Sequence, residues 1–500
     1  MSIDAVSKPF RGPWEGDTKI VLGIDIGITQ SGVAFAFLKN GASQVMQRVT
    51  KWPGQEIHSS QPTIPTLVWY DSNKQAVSCG AEAQLYTTEE QAEDNRWVLA
   101  KYFKLHLHPS DMQTKHELKL DPLPPGITLQ QVYSDFMEYL LKHTRTFFED
   151  RIIDGKSIWE QYSPTMEVVI AHPSGWGVRE QSFLRLAAVA AGFSTSGQAS
   201  NKIRFVTEAE AFVHFYIDRT NLGSILRAGT SFAMCDAGDS TVDTTLYSVI
   251  SERPVLKFEE KRTSACIQAG AIFVDAAVER FLLKTLEGTE LDPDEIADCV
   301  NRGMKNFEIF VKWTFRDETT EQTIALAQSR FNHPLIGVRR GRMTLSGSKI
   351  KEFFDGCVKH IIASVDEQLD GFDGRHILLI GEFGNSPYLR QVFKKRYEPQ
   401  GYKVFLVDDY SSAASAVGAV LWNAMSTTYR SRQRTLRSSW GIETSTAFSN
   451  DDPDHRDYKS KTSPSGRTIV SGRWYCLVRK VRTTNNLDHR QSKYKTQTPN

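Results

Sequence analysis

The sequence predicts an α/β protein built from two similar halves, and two observations support this prediction. The first is a recurring hairpin: residues 20–37 and 232–250 each read as an apolar strand ending in Asp, a small Gly-containing turn, and a second apolar strand. The second is that strand-like and helix-like stretches alternate through much of the remaining chain, as is typical of α/β folds. Two copies of one hairpin, about two hundred residues apart, indicate two similar lobes that face each other.

Composition excludes several classes of protein. The chain has 500 residues, which predicts about three domains, and its 40% apolar and 24% charged residues are ordinary for a globular protein. The net charge of +1 gives no sign of a nucleic-acid or membrane partner. The six cysteines are scattered, which predicts neither a disulfide scaffold nor a zinc site and favours a reducing, cytoplasmic location. Neither a secretory signal nor a transmembrane helix is expected from the sequence.

The charge is unevenly distributed along the chain. Residues 427–500 carry about nine net positive charges, so the preceding part is negative by about eight. Residues 427–500 also show little hydrophobic periodicity, apart from one plausible strand at 474–478. We therefore expect a basic, largely disordered tail that is dispensable for the rest of the fold.

The turn of the first hairpin has the composition of an anion-binding loop. Glycines permit a tight backbone whose N–H groups converge on one point, and phosphate is the usual ligand of such a concavity. The turn contains no Lys or Arg, but it contains Asp25, which repels phosphate unless a cation lies between them. A phosphate here implies Mg2+ as well, held through ordered water. Taken alone, the stretch is better explained as an ordinary Gly-rich hairpin without chemical function. In the second hairpin, however, Asp236, Gly238 and Thr241 repeat the positions of Asp25, Gly27 and Thr29.

The elements between the hairpins follow from local pattern. Residues 1–18 form a polar leader that we expect to be disordered. Residues 91–108 are rich in helix formers and contain Lys101 and Lys104, for which a solvated helix face is the ordinary explanation. The pattern then predicts an amphipathic helix at 128–149, a strand at 166–171, a loop at 172–177, a helix at 178–191 and a strand at 203–206.

Glu208 stands out at the end of that last strand. Thr207 and Glu210 have the spacing of a capping box, which explains both structurally. Glu208 has no part in such a box, and it falls in the first turn of a helix at the carboxyl end of a strand, where α/β folds bind ligands.

Strands and helices alternate again after the second hairpin. The pattern predicts a strand at 254–262, a helix at 269–283, a largely helical stretch at 292–316, a helix within 343–369, a strand–turn–helix at 375–396, a strand at 404–407 and a helix at 411–424. The Gly-rich turn at 381–387 allows the backbone to approach a flat ligand. The helix at 411–424 is rich in Ala and Gly, so we expect it to pack closely against a neighbour.

Five of these motifs, in order over about residues 20–425, resemble the superfamily of the 70-kDa heat-shock chaperones and actin. GIDIGITQSGVAFAF is similar to its first phosphate loop and CDAGDSTVDTTLYSV to its second. VTEAEAFVHF resembles the first connecting segment, LLIGEFGNSPYLR the adenosine loop, and SSAASAVGAVLWNA the second connecting helix. The likeness is greatest to divergent chaperone-like ATPase-domain proteins that are abundant in fungi and related to the animal twelve-A type.

The resemblance implies a two-lobed actin-like ATPase fold of duplicated ribonuclease-H-like domains, with Mg2+ and ATP or ADP in the cleft between the lobes. It places lobe I at 19–215, lobe II at 216–405 and a connecting helix at 406–426. It also implies a role for each matching residue. Asp25 and Asp236 hold the metal through water, and Glu208 polarises water. Lys104, with Lys101 as the alternative, contacts the γ-phosphate. The residues implied to bind phosphate are Gly27, Thr29, Gly238 and Thr241, and those implied to approach the adenosine are Gly381, Gly384, Glu308 and Lys312.

Several positions depart from the family pattern. Ile28 replaces a Thr of the first phosphate loop, Asp239 and Ser240 replace glycines of the second, and Glu382 replaces a glycine of the adenosine loop. Ser412 lies near the place of an acidic residue. These changes weaken the inference from nucleotide binding to efficient turnover. Only about 75 residues follow the ATPase region, so no peptide-binding domain is expected.

Three functions are compatible with this pattern. The first is a slow Mg-dependent ATPase that acts as a conformational switch for an unknown protein partner. The second is a non-hydrolysing module that reports bound nucleotide. The third is a sugar kinase, against which stands AGAIFVDAAVERFL, a stretch that resembles the chaperone branch.

Overall fold

The protein has a mixed α/β fold, as the sequence predicts. The computed structural model describes residues 12–109, 120–219, 227–251, 257–406, 413–425, 440–449, 460–462 and 467–478. Residues 1–11 of the expected leader, and Ser412, lie outside the described residues. The chain divides into two compact units, one formed by residues 1–259 and 264–432 and the other by residues 260–263 and 433–500.

The strands of the described residues are numbered here in chain order. They are β1 (Lys19–Ile26), β2 (Gln30–Leu38), β3 (Met46–Arg48), β4 (Thr63–Pro65), β5 (Leu67–Tyr70), β6 (Ala76–Cys79), β7 (Val98–Lys101), β8 (Glu167–His172), β9 (Ile203–Thr207), β10 (Ser231–Ala237), β11 (Thr241–Ser251), β12 (Lys257–Glu260), β13 (Ala265–Gln268), β14 (Gln322–Ala325), β15 (Val338–Arg339), β16 (Arg342–Leu345), β17 (His376–Ile380), β18 (Lys403–Leu406), β19 (Trp440–Ala447), β20 (Ser460–Thr462) and β21 (Thr468–Val478).

The α-helices are numbered in the same way. They are α1 (Tyr86–Asp94), α2 (Leu129–Arg151), α3 (Gly155–Tyr162), α4 (Val178–Ala190), α5 (Ala199–Lys202), α6 (Glu208–Arg219), α7 (Ile272–Leu286), α8 (Pro293–Asn306), α9 (Gly347–Leu369), α10 (Pro387–Tyr397) and α11 (Ala414–Met425). A π-helical turn, Phe307–Lys312, follows α8 directly. None of the helices in the described ranges is long and apolar enough to cross a membrane.

Two sheets repeat one topology. The first has the strand order β3-β2-β1-β8-β9, with β4 paired to β2, and the second has the order β12-β11-β10-β17-β18, with β13 paired to β11. In each, an antiparallel hairpin is followed by two parallel strands: β1 pairs with β2 and β8, and β10 pairs with β11 and β17. The repeated hairpins of the sequence are therefore the corresponding central strands of two similar sheets.

The strand β1 is buried on both faces, which explains its nearly continuous apolar sequence. On one face, Leu22 and Ile24 join a core that also contains residues of α2 and α4. On the other face lies α11, and a Cβ at Gly23 would come within 2.0 Å of the Ala416 carbonyl oxygen. Only glycine permits this separation of strand and helix.

The helix α11 also packs against α6. A Cβ at Gly418 would lie 1.9 Å from the carbonyl oxygen of Ala211, so the two helix backbones are in direct contact at that point. The small residues of α11 thus have the packing role that the sequence predicts. The helix α6 extends past residue 215, where the sequence placed the end of the first lobe.

The interpretation of residues 91–108 as one helix is wrong. Helix α1 ends at Asp94, strand β7 follows, and a 3-10 turn spans Phe103–Leu107. Arg96 and Tyr102 both have positive φ, at 55° and 53°, which no continuous helix allows. Lys101 therefore lies on a strand and Lys104 in the 3-10 turn.

Part of the tail is ordered. Strands β19, β20 and β21 form a three-stranded antiparallel sheet, with β21 in the centre. These strands lie within the tail that the sequence predicts to be largely disordered, and the strand expected at 474–478 is the end of β21. In the leader, residues 13 and 14 form bridges to residues 43 and 40.

Candidate functional site

The two hairpins place their carboxylates at corresponding positions. Asp25 is the residue before the last in β1, and Asp236 is the residue before the last in β10. Asp236 is 6% exposed and faces Asp243 as its direct partner across the β10–β11 ladder. Side chains that are directly opposite lie on one face of a sheet, so the two carboxylates are neighbours.

A buried ion pair lies beside these carboxylates. Lys104 Nζ donates to Glu208 Oε1 over 3.0 Å, with side chains that are 7% and 14% exposed. Glu208 begins helix α6, where Thr207 caps the helix by accepting a hydrogen bond from the Glu210 backbone N–H. The Glu210 side chain also accepts a hydrogen bond from the Trp422 indole N–H over 3.0 Å.

The electrostatics of this group show an excess of negative charge. Burial and then Glu208 raise the pKa of Asp25 to about 7, although Lys104 opposes the shift. Burial raises the pKa of Asp236 well above its usual range, and Glu208, Asp243 and Asp25 add to the shift. Burial disfavours the charge of Lys104, but Glu208 and Asp25 outweigh it and raise the pKa of its ammonium. Four carboxyl groups surround one ammonium, two of them buried (Asp236 and Asp243) and two half-buried (Asp25 and Glu208), and this arrangement favours the binding of a further cation.

Sequence reasoning singled out four of these five residues and missed Asp243. Asp243 is 1% exposed, and its Oδ2 accepts a hydrogen bond from the Ser174 backbone N–H over 3.3 Å. The available signal was an acidic residue inside the second strand of the repeated hairpin, which the structure places in register with Asp236.

The structure also separates the two candidate lysines. Lys101 forms an exposed ion pair of 3.0 Å with Asp121, and both side chains are more than 40% exposed. Lys104 instead is buried against Glu208. Of the two, only Lys104 joins the carboxylate group.

The two turns contact each other. Thr29 Oγ1, in the first turn, donates a hydrogen bond to Asp239 Oδ2 in the second. Asp239 and Ser240 do not have positive φ, so the second turn accepts side chains in place of glycines without backbone strain. A Cβ at Gly27 would lie 2.1 Å from the Gln30 carbonyl oxygen, whereas one at Gly238 would meet nothing closer than 3.4 Å. Thr241 begins β11 and is buried.

A second polar cluster extends from Asp239. Lys312 Nζ forms an ion pair of 2.6 Å with Asp275 on α7, and Lys312 is 3% exposed because the π-helical turn directs it inward. Burial and then Glu382 raise the pKa of Asp239, Lys312 lowers it, and Glu308 raises it further. Glu308 and Lys312 are thus near the second turn.

The turn after β17 closes on the same region. Gly381 has a φ of 85°, and a Cβ there would come within 2.5 Å of Asp236 Oδ1. Glycine is therefore required at this position for two reasons. A Cβ at Gly384 would meet only ordinary contacts at 3.6 Å, so that position tolerates a side chain.

Comparisons with known proteins identify distant relatives of this chain. The chain is 23% identical over 328 residues to heat shock 70 kDa protein 12B of Homo sapiens, a match that covers 55% of this chain and 46% of that protein. It is 23% identical over 310 residues to heat shock 70 kDa protein 12A of Mus musculus, covering 53% of this chain and 45% of that protein. The chain thus spans about half the length of these curated relatives. No family model matches it. These matches support a distant relationship to the 70-kDa heat-shock, actin-like ATPase proteins.

Proposed function

We propose that the protein binds Mg-ATP between two lobes, each built on one of the two similar sheets, and hydrolyses it slowly as a conformational switch. The observation that carries this proposal is the group of Asp25, Glu208, Asp236 and Asp243 around Lys104. A site with this charge balance requires a cation, and the adjacent Gly-containing turns provide backbone N–H groups for phosphate. The likeness to the fungal branch of the family is part of the same proposal.

The donor set fits Mg2+ held through its water shell. All four acidic groups offer oxygen, the ligand type that Mg2+ prefers, and Mg2+ usually keeps several waters. Within the described residues, no group of three or more His, Cys, Asp and Glu side chains is arranged to hold a metal ion directly. Asp25 and Asp236 would therefore bind metal-coordinated water. When bound, Mg2+ would neutralise phosphate charge.

The other residues would orient and stabilise the reacting groups. Lys104 would place its ammonium against the terminal phosphate, where charge develops. Glu208 and Asp236 would orient the attacking water. Phosphate oxygens would be bound by the turns of Gly27 and Thr29 and of Gly238 and Thr241. The adenosine would lie near Gly381, Gly384, Glu308 and Lys312.

One observation favours a second function, a nucleotide-binding module without turnover. Asp239 places a carboxylate in the turn that would surround the phosphates, and it is bonded to Thr29 of the opposite turn. A negative charge at this position opposes phosphate binding and slows hydrolysis. Because of this carboxylate, we propose that the rate of ATP hydrolysis is low.

Phosphate release tests the proposal directly. We expect slow release from ATP in Mg2+ buffer, strongly reduced by Lys104→Ala. Lys101→Ala is the matched control, since Lys101 is a neighbouring lysine paired at the surface, and it should behave as wild type. Formation of ADP and a sugar phosphate on addition of a sugar, without phosphate release, would instead indicate a kinase. ATP binding without any release would indicate the non-hydrolysing module.

A further inference from the structure

Beyond Glu208, Lys104 has a second neighbour that the proposed function does not use. Its Nζ lies over the indole ring of Trp176, 5.6 Å from the ring centroid. Trp176 belongs to the loop between β8 and α4 and is 4% exposed. An ammonium over the face of Trp is attracted by the ring, and more strongly where water is excluded.

The indole itself is fixed by a second residue. Trp176 Nε1 donates a hydrogen bond of 3.0 Å to His108 Nδ1, and the two rings meet edge to face with centroids 5.6 Å apart. His108 is 2% exposed. An indole N–H can only donate, so His108 must accept at Nδ1 and be neutral, with its proton on Nε2. Burial and then Lys104 lower the pKa of His108 to about 3, in agreement with the neutral ring.

We propose that Trp176 and His108 are positioning residues for Lys104: the indole face holds the ammonium in addition to its contact with Glu208, and His108 fixes the indole. The catalytic consequence of this inference rests on the proposed function, but the placement of Lys104 does not. A flexible lysine with one carboxylate partner can still rotate about that contact. Two partners of different kind restrict the ammonium to one place, and pre-placed charge stabilises a transition state without reorganisation.

A chemical measurement tests the placement without nucleotide. Competitive acetylation with acetic anhydride, followed by peptide mass spectrometry, reports the reactivity of Lys104 relative to the exposed Lys101 in the same sample. We expect Trp176→Leu to raise the relative labelling of Lys104 by about threefold or more, since the ammonium loses the ring contact. Trp176→Phe keeps an aromatic face and should stay near the wild-type value.

Matched variants separate positioning from packing. Trp159→Leu removes a Trp of similar burial, 5% exposed and packed against Phe148, and should not change the labelling of Lys104. His108→Leu removes the acceptor and should raise the labelling, whereas His108→Gln retains an acceptor and should not. If Trp176→Leu does not fold, His108→Leu and His108→Gln decide the question.

Kinetic measurements on the same variants test whether the placement of Lys104 affects ATP turnover. We expect Trp176→Leu to lower kcat roughly tenfold while the ATP dissociation constant stays within about twofold, and Trp176→Phe to restore most of the rate. Unchanged labelling of Lys104 in Trp176→Leu, or an equal rise in Trp159→Leu, overturns the inference, as does an unchanged kcat. If the wild-type protein releases no phosphate, the proposed ATPase activity is refuted but the placement of Lys104 is not. The acetylation of Lys104 in Trp176→Leu then tests that placement by itself.

Discussion

Replacing Asp239 by glycine distinguishes a slow ATPase from a module that cannot turn over. The carboxylate belongs to the turn between β10 and β11 and accepts a hydrogen bond from Thr29 of the opposite turn. Two unit charges 4 Å apart interact by about 1 kcal/mol at the dielectric constant of water and about 4 kcal/mol at an effective value of 20. Since each 1.36 kcal/mol is a factor of ten in rate, such a charge would slow the proposed hydrolysis by roughly fivefold to a thousandfold.

The structure favours the lower end of this range. Burial and the nearby Glu382 raise the pKa of Asp239, so its carboxyl group is less readily charged than an exposed one. The backbone is also compatible with the substitution, because Asp239 does not have a positive φ and its carbonyl already accepts from the Ile272 N–H over 2.9 Å. Glycine should cost about 0.5–1 kcal/mol in stability.

The assay is phosphate release at saturating Mg-ATP. We expect Asp239→Gly to raise kcat at least severalfold, with a melting temperature close to that of the wild type. Asp239→Asn is the matched control, because it removes the charge but keeps an oxygen for Thr29, and it should accelerate turnover to a similar extent. A fall in turnover together with a weaker dependence on Mg2+ would show that Asp239 ligates the metal, and would refute the reasoning.

Three further predictions concern pH, the turns and the tail. Because the pKa of Asp25 is raised to about 7, its carboxyl group is protonated at lower pH. The affinity for Mg-ATP should therefore rise with pH up to about 7 and then level off, and calorimetry in two buffers should measure the accompanying proton release. Asp25→Asn should abolish this pH dependence. By the same shift, the metal-free protein should lose stability as the pH rises from about 4 to about 7, in thermal melts. Gly27→Ala should weaken nucleotide binding and lower the melting temperature by several degrees, since its Cβ would lie 2.1 Å from a carbonyl oxygen. Gly238→Ala should be tolerated, because its Cβ would meet nothing closer than 3.4 Å. Equal losses of affinity and melting temperature in the two variants would contradict this prediction. Removal of residues 427–500 should leave nucleotide affinity and the melting temperature nearly unchanged, because β1–β18 and α1–α11 all precede the cut; insolubility would contradict it.

The sequence was sufficient to predict the position of a residue where neighbouring residues determine the local backbone. An apolar strand that ends in Asp before a Gly-containing turn specifies both its backbone and the place of its carboxylate, so Asp25 and Asp236 were identifiable from residues alone. Glu208 was identifiable for a similar reason, because a strand that runs directly into a helix positions the first helical residue.

Long-range contacts explain what was missed. Lys101 and Lys104 could not be separated, because helix propensity is a weak guide and residues 91–108 are interrupted by two residues of positive φ. Asp243 becomes significant only through its register with Asp236. The sheet of β19, β20 and β21 depends on pairing between segments that are separated in the sequence, and only the end of β21 had a local signal.

The central claim is that the two acidic hairpins form one Mg-ATP site, and calorimetric titration of ATP tests it most directly. We predict that wild-type protein binds ATP in Mg2+ buffer, that binding weakens at least tenfold in EDTA, and that Asp236→Ala weakens it to a similar extent. Asp366→Ala, which breaks an ion pair with Arg396 at the surface, should bind as wild type does. Equal affinity with and without Mg2+, or in Asp236→Ala and wild type, would contradict the claim.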